Sequence, residues 1–222
     1  MNIVDKLVGL IAPNICFGCG AEGSVLCADC TELFYNPIVS RCASCRTLTD
    51  DFKVCKTCRS WMPIKSVYVA LGYDGLAEKL IHAYKFDCQR QASTPMADIM
   101  TKNFSFNDVL VCPVPTAPKR IRERGFDHAL LLSKNIAKKL ELEHRQLLSR
   151  RDNIRQLGSG RAQRIRQMKD EFEVNSDDIS GKKVLLIDDV VTTGASLAAA
   201  ARVLRDAGAK SVSALVFAQK NR

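Results

Sequence analysis

Eight cysteines in four Cys-x-x-Cys pairs crowd the first 60 residues of this 222-residue chain. Their order is Cys16-x2-Cys19-x7-Cys27-x2-Cys30, then Cys42-x2-Cys45-x9-Cys55-x2-Cys58. Residues 1–62 hold no long apolar run, so a module there needs cross-links in place of a large core. Two such knuckles close one tetrahedral thiolate site, and four make two. Pairing in sequence order gives Cys16, Cys19, Cys27 and Cys30 one ion, and Cys42, Cys45, Cys55 and Cys58 the other; spacing also permits an interleaved set. The apolar segment Met1–Pro13 has no basic leader or small-residue cleavage site, so it reads as a short amphipathic surface helix rather than a secretory signal. Clustered thiols without such a signal argue for two structural zinc ions in a reducing, cytoplasmic setting. Disulfides fit that setting poorly, and a redox role would need an exposed pair beside a strand–helix unit. Gly18 and Gly20 flank a knuckle turn. Cys88 and Cys112 stand apart and are expected to be buried as small apolar residues.

Beyond Pro63 the pattern changes to alternating strands and helices. Val67–Tyr73, Val109–Val114, Val184–Ile187 and Ser211–Phe217 read as strands. Leu76–Phe86, a segment through Met96, Ile99 and Met100, Phe126–Leu142 and Ser196–Ala207 read as helices, the last stopped by Gly208. The expected fold is therefore α/β: a mostly parallel sheet with helices on both faces over residues 63–222, preceded by the cysteine module over residues 1–62. No run of 18 apolar residues exists, so no membrane span is expected.

The formal net charge is +9 and has one source. Residues 110–170 hold 15 basic and 6 acidic side chains, whereas the other segments balance. A basic segment suits phosphate, pyrophosphate or nucleic acid, unless it is only a solvated surface. Its densest part is Lys119-Arg120-Ile121-Arg122-Glu123-Arg124-Gly125-Phe126, read as a loop docked by Phe126. Lys119, Arg120, Arg122 and Arg124 are the candidates to contact an anion. His128 reads as a residue of the following helix's first turn. Residues 150–170, with Gly158 and Gly160, read as a mobile loop running into a helix.

One stretch carries most of the chemistry: Val184-Leu185-Leu186-Ile187-Asp188-Asp189-Val190-Val191-Thr192-Thr193-Gly194-Ala195-Ser196. An apolar run of four is a central strand, and open α/β sheets bind ligands at strand C-termini. Adjacent carboxylates repel each other, but they suit two neighbouring hydroxyls, as on a ribose. Thr192, Thr193, Gly194 and Ser196 then open a helix, whose free N–H groups favour a phosphate. Gly194 lets backbone come close.

This stretch resembles the fingerprint of type I phosphoribosyltransferases, which bind phosphoribosyl pyrophosphate (PRPP). The resemblance implies that Asp188 and Asp189 hold the ribose hydroxyls. It implies that Thr192 to Ser196 wrap the 5′-phosphate, with Val190, Val191 and Ala195 completing the loop. A magnesium ion would bridge ribose and pyrophosphate. Val111-Cys112-Pro113-Val114-Pro115 would be the loop cradling pyrophosphate, with Pro113 and Val114 at the ligand.

A double zinc ribbon followed by this domain is similar to the ComF family, the competence-associated phosphoribosyltransferase-like proteins of bacteria. The resemblance covers nearly the whole chain. It includes Tyr73, Lys85-Phe86, Arg124-Gly125-Phe126 and the PRPP loop, with Gln156, Arg164 and Phe172 in a flexible loop. Ser159-Gly160 stands where the family has Leu-Ser, and Gln167 where it has Asn. The family implies handling of single-stranded DNA during natural transformation and a protein partner in the competence machinery. An enzyme of this kind would join an acceptor to the ribose and release pyrophosphate, the basic loop stabilising the developing charge. The competing expectation is a non-catalytic DNA-binding or regulatory protein with PRPP as its ligand. Its base-stacking candidates are Trp61, Tyr68, Tyr73, Tyr84 and Phe86.

Overall fold

A computed structural model of the chain describes residues 14–34, 39–150, 171–175 and 178–220. The readings of Met1–Pro13 and of residues 151–170, with Gln156, Gly158, Ser159, Gly160, Arg164 and Gln167, lie outside these residues. In chain order the elements are α1 (Ala28–Glu32), α2 (Lys56–Arg59), β1 (Val67–Gly72), α3 (Gly75–Phe86), α4 (Ser93–Lys102), β2 (Leu110–Pro113), α5 (Pro118–Arg124) and α6 (His128–Leu140). A short pair, β3 (Leu148–Arg150) with β4 (Phe172–Val174), precedes β5 (Lys183–Val191), α7 (Ala195–Asp206) and β6 (Ser211–Gln219).

Four strands form one parallel sheet in the order β1-β6-β5-β2. Strand side chains alternate between faces. Leu185 and Ile187 of β5 therefore meet Val111, Leu215 and Phe217 in a core covered by Leu80, Ile81 and Tyr84 of α3, Met96, Ile99 and Met100 of α4, and Leu132 and Ile136 of α6. Val184 and Leu186 meet Val212, Ala214 and Val216 in a second core, under Leu197, Ala200, Ala201 and Leu204 of α7. Those four α7 positions recur at helical spacing, and the helix is rich in alanine, the best helix former. Each fully buried leucine contributes roughly 1.5–3 kcal/mol by leaving water.

The cysteine module straddles the sheet. Cys16, Val25, Leu26 and Cys30 join the α3 side, whereas Cys42, Ala43, Val54, Cys58 and Met62 join the α7 side. Backbone bonds tie the second ribbon in: Val54 N donates to Lys65 O at 3.1 Å, and Lys65 N to Val212 O at 2.8 Å. The Gln219 amide donates to Ala43 O at 2.6 Å.

Several expectations need correction. Residues 118–124 form a helix, not a loop: Pro118 sits in its first turn, and Gly125 closes it at φ 71°, a left-handed conformation cheap only for glycine. Strand β5 continues to Val191, so both aspartates lie within it. Cys112 is buried as expected, but Cys88 is exposed. The β3–β4 pair was not anticipated. Among the described residues no helix is long and apolar enough to cross a membrane.

Candidate functional site

The C-terminal end of β5 opens into a small cavity of about 70 Å³, lined by Asp188, Val190, Val191, Thr192, Thr193, Gly194, Ala195, Ser196 and Leu197. Thr192 and Thr193 are exposed there, and Ala195 and Ser196 half-buried. Gly194 is the N-cap of α7 at φ 76°, and no side chain caps the helix. Thr193 Oγ1 accepts from the Ala195 N–H at 3.3 Å; the other first-turn N–H groups are offered at the helix end, where the dipole favours an anion. Met62, from the end of the second ribbon, lies directly against Gly194: a Cβ placed there would come within 2.7 Å of its methyl.

Strand alternation separates the two carboxylates. Asp188 is half-buried, lines the cavity and accepts from the backbone N–H of Asp189 at 2.9 Å. Burial, then the charge of Asp189, push its carboxyl up to about 7. Asp189 turns into the α3 side with Leu185 and Ile187. Its side chain is only 3% exposed, and its two oxygens meet Lys85 Nζ at 2.7 Å and His128 Nε2 at 3.0 Å. Burial alone would raise its pKa, but Lys85 and His128 hold it well below the usual carboxylate range. Lys85 comes from the last turn of α3, and His128 opens α6. Around them, Arg124 Nη1 lies 2.8 Å from His128 Nδ1, and the Tyr84 hydroxyl donates to His128 O at 2.6 Å. Asp127 caps α6 and accepts from Thr116 Oγ1 at 2.8 Å.

A family model for the phosphoribosyl transferase domain matches residues 127–222, which include His128, Asp188 and Asp189. Competence protein ComFC of Streptococcus pneumoniae (strain ATCC BAA-255 / R6) is 26% identical over 196 residues, covering 86% of each chain. Competence protein ComFC of Bacillus subtilis (strain 168) is 26% identical over 207 residues, covering 86% of this chain and 83% of its own. The chain is similar to these competence proteins over most of its length. Among solved structures, the allosteric regulatory enzyme of purine biosynthesis matches 57% of this chain and 25% of its own, at 16% identity and a TM-score of 0.44.

The two cysteine sets assemble in sequence order, each with its four sulfurs within 4.8 Å of one another. Cys19 and Cys27 Sγ lie 3.8 Å apart, and Cys45 and Cys55 Sγ 3.5 Å. The edge of a zinc–thiolate tetrahedron is about 3.8 Å. Proximity makes the thiols unequal: Cys27, together with burial, pushes Cys30 up to about 12, whereas the Thr47 hydroxyl pulls Cys45 down to about 6. A central dication is what lets four such thiols ionise together. Both clusters fit a double zinc ribbon.

The remaining candidates divide. Lys119, Arg120 and Arg122 are exposed on α5, Lys119 beside Glu123 at 3.8 Å. Arg124 is buried instead, its guanidinium 5.6 Å from the Phe86 ring. Pro113 and Val114 are buried, and Val114 N donates to Ile187 O at 2.9 Å. Phe126 docks as expected, 5.4 Å from Tyr84 and 5.1 Å from the Arg90 guanidinium. The stacking candidates do not share a platform: Tyr84 is buried, and Tyr68 packs among Phe52, Phe104 and Phe106. Lys85 and His128 are the site residues that sequence reasoning left out. Lys85 had been noted only as half of the Lys85-Phe86 pair, and no local pattern joins either residue to Asp189.

Proposed function

We propose that this protein binds magnesium-PRPP at the C-terminal end of β5 and works as a phosphoribosyltransferase-like protein in bacterial competence. The observation that carries the reading is the uncapped N-terminus of α7 beside Asp188, around a cavity of phosphate size. The 5′-phosphate takes the N–H groups and hydroxyls of Thr192 to Ser196, and Asp188 accepts from a ribose hydroxyl. The donors here are all oxygen, which suits a magnesium ion carried in with the pyrophosphate. Pyrophosphate would extend toward the basic α5 and its neighbours. The competence role rests on the names of the two ComFC relatives. Both cysteine sets hold structural zinc, two ions per chain.

Calorimetric titration of magnesium-PRPP into the zinc-loaded protein tests this. Binding that disappears in Asp188→Asn is expected; no binding by the unaltered, folded protein would overturn the reading. A second reading, DNA binding without turnover, has one observation in its favour: Arg120 and Arg122 are exposed and carry no ion pair among the described residues. It requires a steep fall in DNA affinity with salt.

A further inference from the structure

The second cysteine set meets the cradle at the end of β5 at two points. The first is Met62, four residues after Cys58. Its backbone N–H and that of Trp61 both donate to Cys58 O, at 3.0 and 3.2 Å. Its side chain is fully buried and ends against Gly194, whose φ of 76° turns the chain into α7. From α7 itself, Arg202 Nη2 donates to Trp61 O at 3.0 Å. The second point is Gln219, which pairs in register with Val191, a cradle residue. The Gln219 side chain is buried and both of its ends are taken by the second set: the amide donates to Ala43 O at 2.6 Å, and the carbonyl accepts from Arg46 Nη1. Ala43 lies inside the knuckle Cys42–Cys45, and Arg46 follows it. Each knuckle of the second set therefore places a contact on or beside the cradle. The first set packs under α3 instead.

We infer that Met62 is a positioning residue for the phosphate cradle, and that the second cysteine set, through Met62 and Gln219, couples its metal to PRPP binding while the first set does not. This rests on the PRPP reading above and deepens it. Gly194 has no side chain of its own to hold the loop, and a glycine backbone is free to adopt many conformations. What packs against it sets its shape, and that is the Met62 methyl. Emptying the second set lets its four sulfurs part, Cys58 among them, and the support beneath Gly194 goes with it. Coupling of this kind is reciprocal: a ligand that binds better with the second ion in place must hold that ion tighter by the same factor. A ligand that only stabilised the whole fold would protect both sets alike.

The test is alkylation of the zinc-loaded protein by N-ethylmaleimide, in the presence of a zinc chelator that does not take magnesium. It is run with and without saturating magnesium-PRPP, and peptide mass spectrometry locates the modified cysteines. Cys88, exposed and outside both sets, shows the reagent to be active in each sample. The expected result is that magnesium-PRPP slows modification of Cys42, Cys45, Cys55 and Cys58 by about fivefold or more relative to Cys16, Cys19, Cys27 and Cys30. In Met62→Ala, checked for two zinc ions and a cooperative melt, that difference should shrink to about twofold or less, and magnesium-PRPP affinity by calorimetry should fall. Equal protection of both sets, or none in a protein that calorimetry shows to bind, overturns the inference while leaving PRPP binding intact. Undiminished protection in a folded Met62→Ala overturns the role of Met62. Failure of the unaltered protein to bind overturns the functional reading, and this one with it. Should Met62→Ala fail to fold, the comparison of the two sets in the unaltered protein decides.

Discussion

Two neighbouring aspartates have opposite consequences because a strand sends them to opposite sides. Asp188 is held up to about 7 by burial and by the charge of Asp189. The native state therefore binds this proton more tightly than the unfolded chain does. Its contribution favours folding at acid pH and is lost as pH rises through about 7. Only the ionised form accepts from a ribose hydroxyl, so magnesium-PRPP affinity should rise from about pH 6 to about pH 8. Asp188→Asn should abolish that binding, and at alkaline pH it should raise the melting temperature by removing one of two like charges; a lower melting temperature would contradict the geometry. Lys85→Met is expected to do the reverse. It strips one partner from a buried carboxylate, at a cost of about 3 kcal/mol or more. That corresponds to a fall on the order of 10 °C in a scanning melt. The sequence made Asp188 and Asp189 conspicuous, but it could not assign them separate tasks. Their partners lie 61 and 104 positions away from Asp189 along the chain, at His128 and Lys85.

The strongly patterned elements were legible. The run Val184–Ile187 announces a buried strand, and the alanine-rich stretch after Gly194 announces α7. Two elements were not. Four cations in six positions of 119–124 look like loop, although Pro118 and Gly125 are ordinary start and stop signals for a helix. The strands Leu148–Arg150 and Phe172–Val174 have three residues each, too few for alternation to register. The junction of β5 with α7 yields its own prediction. Gly194 adopts φ 76° against the Met62 side chain. Alanine there pays roughly 1–2 kcal/mol for a left-handed backbone. Gly194→Ala should lower both the melting temperature and PRPP affinity, whereas Met62→Ala should relax the contact without straining the backbone. Equal affinities for Gly194→Ala and the unaltered protein would place the phosphate elsewhere.

At the level of the molecule, each cysteine set is anchored in the core of the sheet domain by two of its four members rather than appended to it. Cys42 and Cys58 pack in the core beneath α7, and Cys16 and Cys30 in the core beneath α3. Elemental analysis should find two zinc ions per chain. Chelation should raise amide hydrogen exchange in α3 and α7, beyond the ribbons in sequence, and not only in the ribbons. Exchange changes confined to residues before 62 would show the ribbons to be energetically separate. This sharing of cores was invisible from spacing, which identified the ligands but not what they lean on.

The strand order also sets a timetable for synthesis. Within the described sheet β1 lies beside β6, and the Gln219 side chain closes onto Ala43, 176 positions earlier. On the ribosome the cysteine knuckles emerge well before β6, the strand that completes the apolar surfaces they rest on. Contacts so distant along a chain form late. A nascent chain halted before β6 would carry its thiols on an unfinished support, open to oxidation and to mispairing with other chains, until β6 slides in between β1 and β5.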